Sequence, residues 1–137
     1  MGSVAVVGAG NWGTALANLL AKKGLPVRLW AYEDEVARGV NERHENPLYL
    51  RGVPLDPRLK ATPDLAEAVT GADVILSVTP AQHVRGVMAH ASRCLSANAV
   101  LVSASKGIET GSLATMAEVL ADVAPHVARA CFLSGPS

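Results

Sequence analysis

Three glycines near the N-terminus have types and spacing that suit the binding of a pyrophosphate. Gly8, Gly10 and Gly13 follow an apolar run at 4–7 and precede a segment with helical spacing at 14–23. In that context Gly8 permits a tight turn, Gly10 lets a pyrophosphate approach the backbone, and Gly13 lets the helix pack close to the strand. Free N–H groups at the start of the helix would complete the phosphate site. The pattern predicts a dinucleotide site; the alternative is a glycine-rich turn without a ligand.

The end of the second predicted strand is where the adenosine ribose of a dinucleotide would lie. Glu33 stands about 20 residues beyond the glycines, the usual place of an acid that accepts ribose hydroxyls. A carboxylate there would repel a 2′-phosphate, and no arginine follows the strand immediately, so the sequence favours NAD over NADP. Tyr32 could flank the adenine. The alternatives are a solvated Glu33 at a helix start and a Tyr32 that only covers the sheet edge.

Further candidates come directly after other predicted strands. Lys106 follows the fifth strand, and Pro80 and His83 open the helix after the fourth. Because parallel strands all end at one edge of a sheet, these residues converge on the same crevice as the glycines. Lys106 could be a compact cation for a phosphate or a polarised oxygen, or an ordinary surface lysine. His83 could stack near the cofactor, or occupy a half-exposed helix position.

An alternation of strands and helices positions these candidates. The predicted strands are 4–7, 27–31, 58–62, 73–78, 99–103 and 129–133, and the predicted helices are 14–23, 34–41, 64–69, 80–94 and 112–123. Residues 44–57 carry three prolines and are predicted to form an ordered loop. This order predicts an α/β domain over residues 1–137, with a doubly wound, Rossmann-type parallel sheet covered by helices in three layers.

The composition excludes several classes of function. Half of the 137 residues are apolar and the net charge is zero, with no basic block for nucleic acid. No apolar run approaches the roughly 20 residues of a membrane helix. Cys94 and Cys131 have no metal-ligand or redox spacing, which predicts reduced thiols in a cytoplasmic protein. We therefore expect no metal, no nucleic-acid partner and no integral membrane segment, and we leave a homodimer open.

The whole sequence resembles the NAD(P)-dependent glycerol-3-phosphate dehydrogenases. The resemblance rests on residues 8–17, 29–30, 44–46, 49–50, 105–109 and 134–137. It implies an N-terminal cofactor domain and a helical C-terminal domain that together interconvert sn-glycerol 3-phosphate and dihydroxyacetone phosphate for glycerophospholipid synthesis. By position, the resemblance implies cofactor contacts from Asn11, Trp12, Tyr32, Pro80, His83 and Lys106, and substrate contacts from Lys106, Gly135 and Ser137.

Two features depart from that family's pattern. Bacterial members often place an arginine after the second strand for NADPH, where this chain has Tyr32 and Glu33. The family's general-base lysine lies in the C-terminal domain, and this chain ends at Ser137, directly after a predicted strand. We therefore expect no catalytic residue in the chain and no activity from it alone. A dehydrogenase of another small hydroxy acid and a non-catalytic NAD(P)-sensing module remain alternatives.

Overall fold

The computed structural model of the chain describes residues 2–105, 111, 112, 114–127 and 129–132. Its strands are β1 Val4–Val7, β2 Val27–Trp30, β3 Lys60–Thr62, β4 Val74–Ser77, β5 Val100–Ser103 and β6 Arg129–Phe132. Its α-helices are α1 Asn11–Lys22, α2 Asp34–Arg38, α3 Leu65–Val69, α4 Ala81–Ala91 and α5 Met116–Val123.

The six described strands form one parallel sheet in the order β3-β2-β1-β4-β5-β6. This is the order of the classical doubly wound dinucleotide-binding fold, in which the direction of winding reverses between β1 and β4. The predicted fold class is confirmed. The reversal opens a crevice at the carboxyl ends of β1 and β4, where ligands of such sheets bind.

The central strand β1 is buried on both faces, as its unbroken run of apolar residues predicts. Because side chains alternate along a strand, Ala5 and Val7 contribute to one core and Val4 and Val6 to the other. The first core lies under α3, α4 and α5, and the second lies under α1 and α2. Packing on both faces therefore fixes the strand ends that surround the crevice.

Several element boundaries differ from the predicted ones. Helix α1 begins at Asn11 rather than at residue 14, so its first turn belongs to the glycine motif. Helix α5 begins at Met116 rather than at 112, because Thr115 and Glu118 form a capping box. The predicted helix 34–41 ends as α2 at Arg38, and the chain continues as a π-helical turn over Gly39–Arg43. The predicted helix 80–94 ends with a 3₁₀ turn over Ser92–Cys94.

Residues 44–57 form a loop, as predicted, and the structure shows that this loop packs on α1. Asn46 is fully buried, and its amide nitrogen donates to the carbonyl oxygen of Ala9 at 2.9 Å and to Thr14 Oγ1 at 2.8 Å. Further along, the backbone N–H of Asp56 donates to Asn18 Oδ1 at 2.8 Å. The loop is therefore attached to the glycine turn at one end and to the middle of α1 at the other.

Three further features of the described residues concern membrane-spanning helices, metal sites and cysteines. No helix in the described part of the chain has the length and apolar character needed to cross a membrane. Among the same residues, no three His, Cys, Asp or Glu side chains are grouped so that they could hold a metal ion. Cys94 is a free, half-buried thiol that packs against the first core.

Candidate functional site

A cleft of about 1300 Å³ lies at the carboxyl ends of the central strands, where the winding of the sheet reverses. It is somewhat larger than the roughly 300–1,000 Å³ of typical ligand pockets. Most of the residues that the sequence singled out line it together: Gly8, Gly10, Asn11, Trp12, Gly13, Tyr32, Glu33, Pro80 and His83. Lys106, Gly135 and Ser137 lie outside the described residues.

The three glycines of the turn have different physical requirements. Gly8 has a φ of +123°, which side chains rarely tolerate, and a Cβ there would lie 3.0 Å from the backbone of Val78 and Thr79. A Cβ at Gly13 would lie 2.0 Å from the carbonyl oxygen of Gly8. A Cβ at Gly10 would meet no atom within 4 Å. The fold thus requires Gly8 and Gly13, whereas a side chain at Gly10 would occupy only the cleft.

The first turn of α1 supplies the positive end of a helix to the cleft. Gly10 is its N-cap and has no side chain to cap it, and none of its first-turn residues is acidic. The backbone N–H of Trp12 donates to Asn11 Oδ1 at 2.7 Å, an exposed contact. Unsatisfied N–H groups and the helix dipole favour an anion at such a position. This end of the cleft can therefore hold a phosphate group.

The end of the cleft that follows β2 carries an acid bonded to a tyrosine. The Tyr49 hydroxyl donates a hydrogen bond to Glu33 Oε2. This bond raises the pKa of Tyr49, and desolvation and the negative charge of Glu33 raise it further. Among the described residues that line the cleft, Glu33 is the only acid and none is a lysine or an arginine. This end can accept hydrogen bonds from hydroxyls but offers no cation to a phosphate.

Tyr32 and Trp30 form an aromatic wall beside this acid. Tyr32 is 78% exposed, and its ring meets that of Trp30 edge to face, with centroids 6.2 Å apart. The Trp30 indole N–H is fixed by a hydrogen bond to the carbonyl oxygen of Pro63 at 3.0 Å. Tyr32 thus presents an open ring face that a planar group could stack on, while Trp30 behind it is held in place.

The wall formed by the turn after β4 is attached to β1. Thr79 is buried, and its hydroxyl donates to the carbonyl oxygen of Val7 at 3.1 Å. Pro80 is the N-cap of α4, and His83 is exposed in the first turn of that helix. The hydroxyl of Ser105, which follows β5, donates to the carbonyl oxygen of Thr79. The ends of β1, β4 and β5 are therefore linked along one side of the cleft.

The family model of the NAD-dependent glycerol-3-phosphate dehydrogenase N-terminus matches residues 3–137. The chain belongs to this family. It is 51% identical to the glycerol-3-phosphate dehydrogenase [NAD(P)+] of Nitratidesulfovibrio vulgaris over 98% of its own length and 41% of that protein. It is 50% identical to the corresponding Geobacter sulfurreducens enzyme, with the same coverage. The chain thus spans about two fifths of the length of these curated relatives.

Solved structures of glycerol-3-phosphate dehydrogenases share the fold. The Coxiella burnetii enzyme superposes with a TM-score of 0.87 at 34% identity, over 99% of this chain and 41% of that one. The Saccharomyces cerevisiae enzyme superposes with a TM-score of 0.83 at 30% identity, over 98% of this chain and 42% of that one. A ketopantoate reductase of Ralstonia eutropha, at 21% identity and a TM-score of 0.68, shows the fold alone.

Sequence reasoning missed several residues that line the cleft. Thr79 and Ser105 each directly precede a residue that was singled out, so the rule of strand ends could have found them. Leu16 lies three residues after Gly13 in α1, where helical spacing could have placed it. Tyr49 belongs to a segment that carried the resemblance, but no local pattern indicates its contact with Glu33. The other missed lining residues are Ala9, Trp30, Val78, Ala81, Val87 and Ala104.

Proposed function

We propose that this chain is the domain that holds NAD(H) in an enzyme that interconverts sn-glycerol 3-phosphate and dihydroxyacetone phosphate by hydride transfer. The observation that carries the proposal is the shared cleft, which joins an uncapped helix start on glycine to an acid at the end of β2. These are the two features that a dinucleotide needs, one for its pyrophosphate and one for its adenosine ribose.

The residues of the cleft suit the parts of the cofactor in order. Gly8, Gly10 and Gly13, with Asn11 and Trp12, would surround the pyrophosphate, because the helix start offers N–H donors there. Tyr32 and Glu33 would contact the adenosine, and Pro80 and His83 would line the path toward the nicotinamide. The absence of lysine and arginine from the described lining, with Glu33 present, supports a preference for NAD over NADP.

The hydride chemistry belongs to the nicotinamide, which accepts or donates a hydride at C4 when bound. The protein's task is to orient the substrate and to stabilise charge that develops on its oxygen. Lys106 would do so as a fixed positive charge at the carboxyl edge of the sheet, and Gly135 and Ser137 would contact the substrate. The family resemblance supports these three roles, and it also supports a general base in a helical second domain rather than in this chain.

The metabolic role, the location and the partners of the enzyme are part of the same proposal. The sn-glycerol 3-phosphate that the enzyme forms by reduction would serve glycerophospholipid synthesis. The free thiol of Cys94 supports a cytoplasmic location, because oxidising compartments favour disulfides. The partners are the small-molecule substrate and the second domain, with a homodimer left open. No basic stripe in the sequence suggests a nucleic acid as a further partner.

Two measurements test the proposal. The chain titrated with ADP-ribose should bind it, whereas a fold without this function would not. The enzyme that contains the domain should oxidise glycerol 3-phosphate with NAD far faster than it oxidises a panel of 2-hydroxy acids. A preference for one of those hydroxy acids would assign the domain to a different dehydrogenase, and binding without any turnover by that protein would favour a sensing module.

A further inference from the structure

The loop at 44–57 delivers one side chain to the acid of the cleft. Tyr49 lies on this loop, 16 residues beyond Glu33, and its hydroxyl donates to Glu33 Oε2. Glu33 is the N-cap residue of α2, yet its side chain makes no capping hydrogen bond to that helix. The hydrogen bond that orients the Glu33 carboxylate therefore comes from Tyr49 and not from α2.

Tyr49 is itself held by the glycine turn through a buried amide. Its backbone N–H donates to Asn46 Oδ1 at 3.0 Å. The amide nitrogen of Asn46 donates in turn to the carbonyl oxygen of Ala9, within the glycine turn, and to Thr14 Oγ1, directly after it. Hydrogen bonds of Asn46 and Tyr49 thus connect the glycine turn to the acid that follows β2.

This arrangement matters because a glutamate side chain has several rotatable bonds. Glu33 is half-buried and could otherwise turn toward solvent. A carboxylate accepts hydrogen bonds at two oxygens, so a bond from Tyr49 to one of them still allows the other to accept from a ribose hydroxyl. The same fixed negative charge would repel a 2′-phosphate in that place.

We propose that Tyr49 is a positioning residue, which holds the Glu33 carboxylate toward the adenosine ribose and thereby sets the preference for a 2′-hydroxyl over a 2′-phosphate. The inference rests on the proposed function, because it assumes that a dinucleotide occupies the cleft. It assigns a role in cofactor specificity to a residue of the loop at 44–57. Neither the glycine motif nor the acid that follows β2 requires such a residue.

The test compares ADP-ribose with 2′-phospho-ADP-ribose, which differ only in the 2′-phosphate on the adenosine ribose. Their dissociation constants are measured by calorimetry at one salt concentration for the parent chain, Tyr49→Phe, Glu33→Ala and the double variant. The parent should prefer ADP-ribose. Tyr49→Phe should lower that preference about three- to tenfold, which is the effect of losing one ordinary hydrogen bond. In the Glu33→Ala background the same substitution should leave the preference unchanged.

A control variant and three contrary results make the test decisive. Leu48→Ala alters an exposed neighbour in the same loop, outside the cleft lining, and should keep the parental preference. If Tyr49→Phe lowers the preference equally with and without Glu33, Tyr49 is merely structural and the inference is overturned. Equal affinity of the parent for both nucleotides overturns the inference but leaves the proposed function standing. Failure of the parent to bind either nucleotide overturns the proposed function, and the inference with it.

Discussion

A Cβ built at Gly13 lies 2.0 Å from the carbonyl oxygen of Gly8. Since Cβ atoms and carbonyl oxygens do not approach so closely in proteins, α1 can pack against the turn that follows β1 only if residue 13 is glycine. The neighbouring Gly10 is under no such constraint, because a Cβ there would meet no atom within 4 Å. One glycine therefore serves the fold and the other serves the cleft, and substitution can separate the two roles.

Substitution of Gly13 should destabilise the domain. We expect Gly13→Ala to lower the free energy of unfolding by about 1–3 kcal/mol, because the new methyl group must push helix and turn apart. Gly86→Ala is the matched control, since Gly86 lies in α4 and a Cβ there meets nothing within 4 Å. It should raise the free energy of unfolding by roughly 0.5–1 kcal/mol through helix propensity. Urea unfolding measures both, and equal stability of the two variants would contradict the packing argument.

Substitution of Gly10 should remove cofactor binding and leave the fold intact. In Gly10→Val the side chain would fill the space where the pyrophosphate should approach the backbone. We expect the affinity for ADP-ribose to fall at least tenfold, which corresponds to about 1.4 kcal/mol. Far-UV circular dichroism should match that of the parent. Gly86→Val, outside the cleft lining, controls for the added side chain, and undiminished binding by Gly10→Val would show that the phosphates lie elsewhere.

The elements that the sequence predicts well are those with a local physical cause. The apolar run of β1 and the glycines after it indicate a buried strand and a turn without knowledge of the rest of the chain. The predicted start of α5 at residue 112 is too early, although Thr115 and Glu118 have the spacing of a capping box. The contact between Tyr49 and Glu33 could not be predicted, because it depends on how an irregular loop packs against α1.

Asn46 illustrates the same limit and provides a third prediction. Its burial follows from the packing of the loop, where its amide satisfies the carbonyl oxygen of Ala9 and the hydroxyl of Thr14. In Asn46→Ala these buried groups lose a donor, so the free energy of unfolding should fall by about 1–3 kcal/mol. Arg51→Ala, an exposed change in the same loop, should stay within about 0.5 kcal/mol of the parent. Similar urea midpoints for the two variants would show that the amide contributes little.

The hydrogen bond between Tyr49 and Glu33 should be visible in a pH titration. The pKa of Tyr49 is raised, first by its hydrogen bond to Glu33, so the folded state favours the neutral phenol. The resulting stability is fully present below the unfolded pKa of about 10 and is lost as pH rises through the higher folded value. In a Tyr32→Phe background Tyr49 is the only tyrosine, and its ionisation can be followed by ultraviolet absorbance.

The matched variant for this titration is Glu33→Ala in the same background. It removes both the acceptor and the negative charge, so the phenol of Tyr49 should ionise at a lower pH than in the Tyr32→Phe parent. Near-ultraviolet circular dichroism checks that the adjacent wall of the cleft is unchanged in this variant. The signal of Trp30 should stay the same, because its hydrogen bond to the carbonyl oxygen of Pro63 is kept. Coincident titration curves would mean that Glu33 does not accept from Tyr49 in solution.

The role of Lys106 is best tested in the enzyme that contains this domain. Lys106 comes three residues after the end of β5 in the sequence, and we propose that it supplies a fixed cation that stabilises negative charge on the substrate oxygen. We expect Lys106→Ala to lower kcat/KM for glycerol 3-phosphate by about 10²–10³-fold, the usual effect of removing a group aimed at developing charge. The melting temperature should change little, because a charge that serves the reaction does not contribute to the core. Lys23→Ala, at the exposed carboxyl end of α1, is the control and should leave kcat/KM unchanged. An unaltered kcat/KM in Lys106→Ala would make Lys106 an ordinary surface lysine and require another source of positive charge at the substrate.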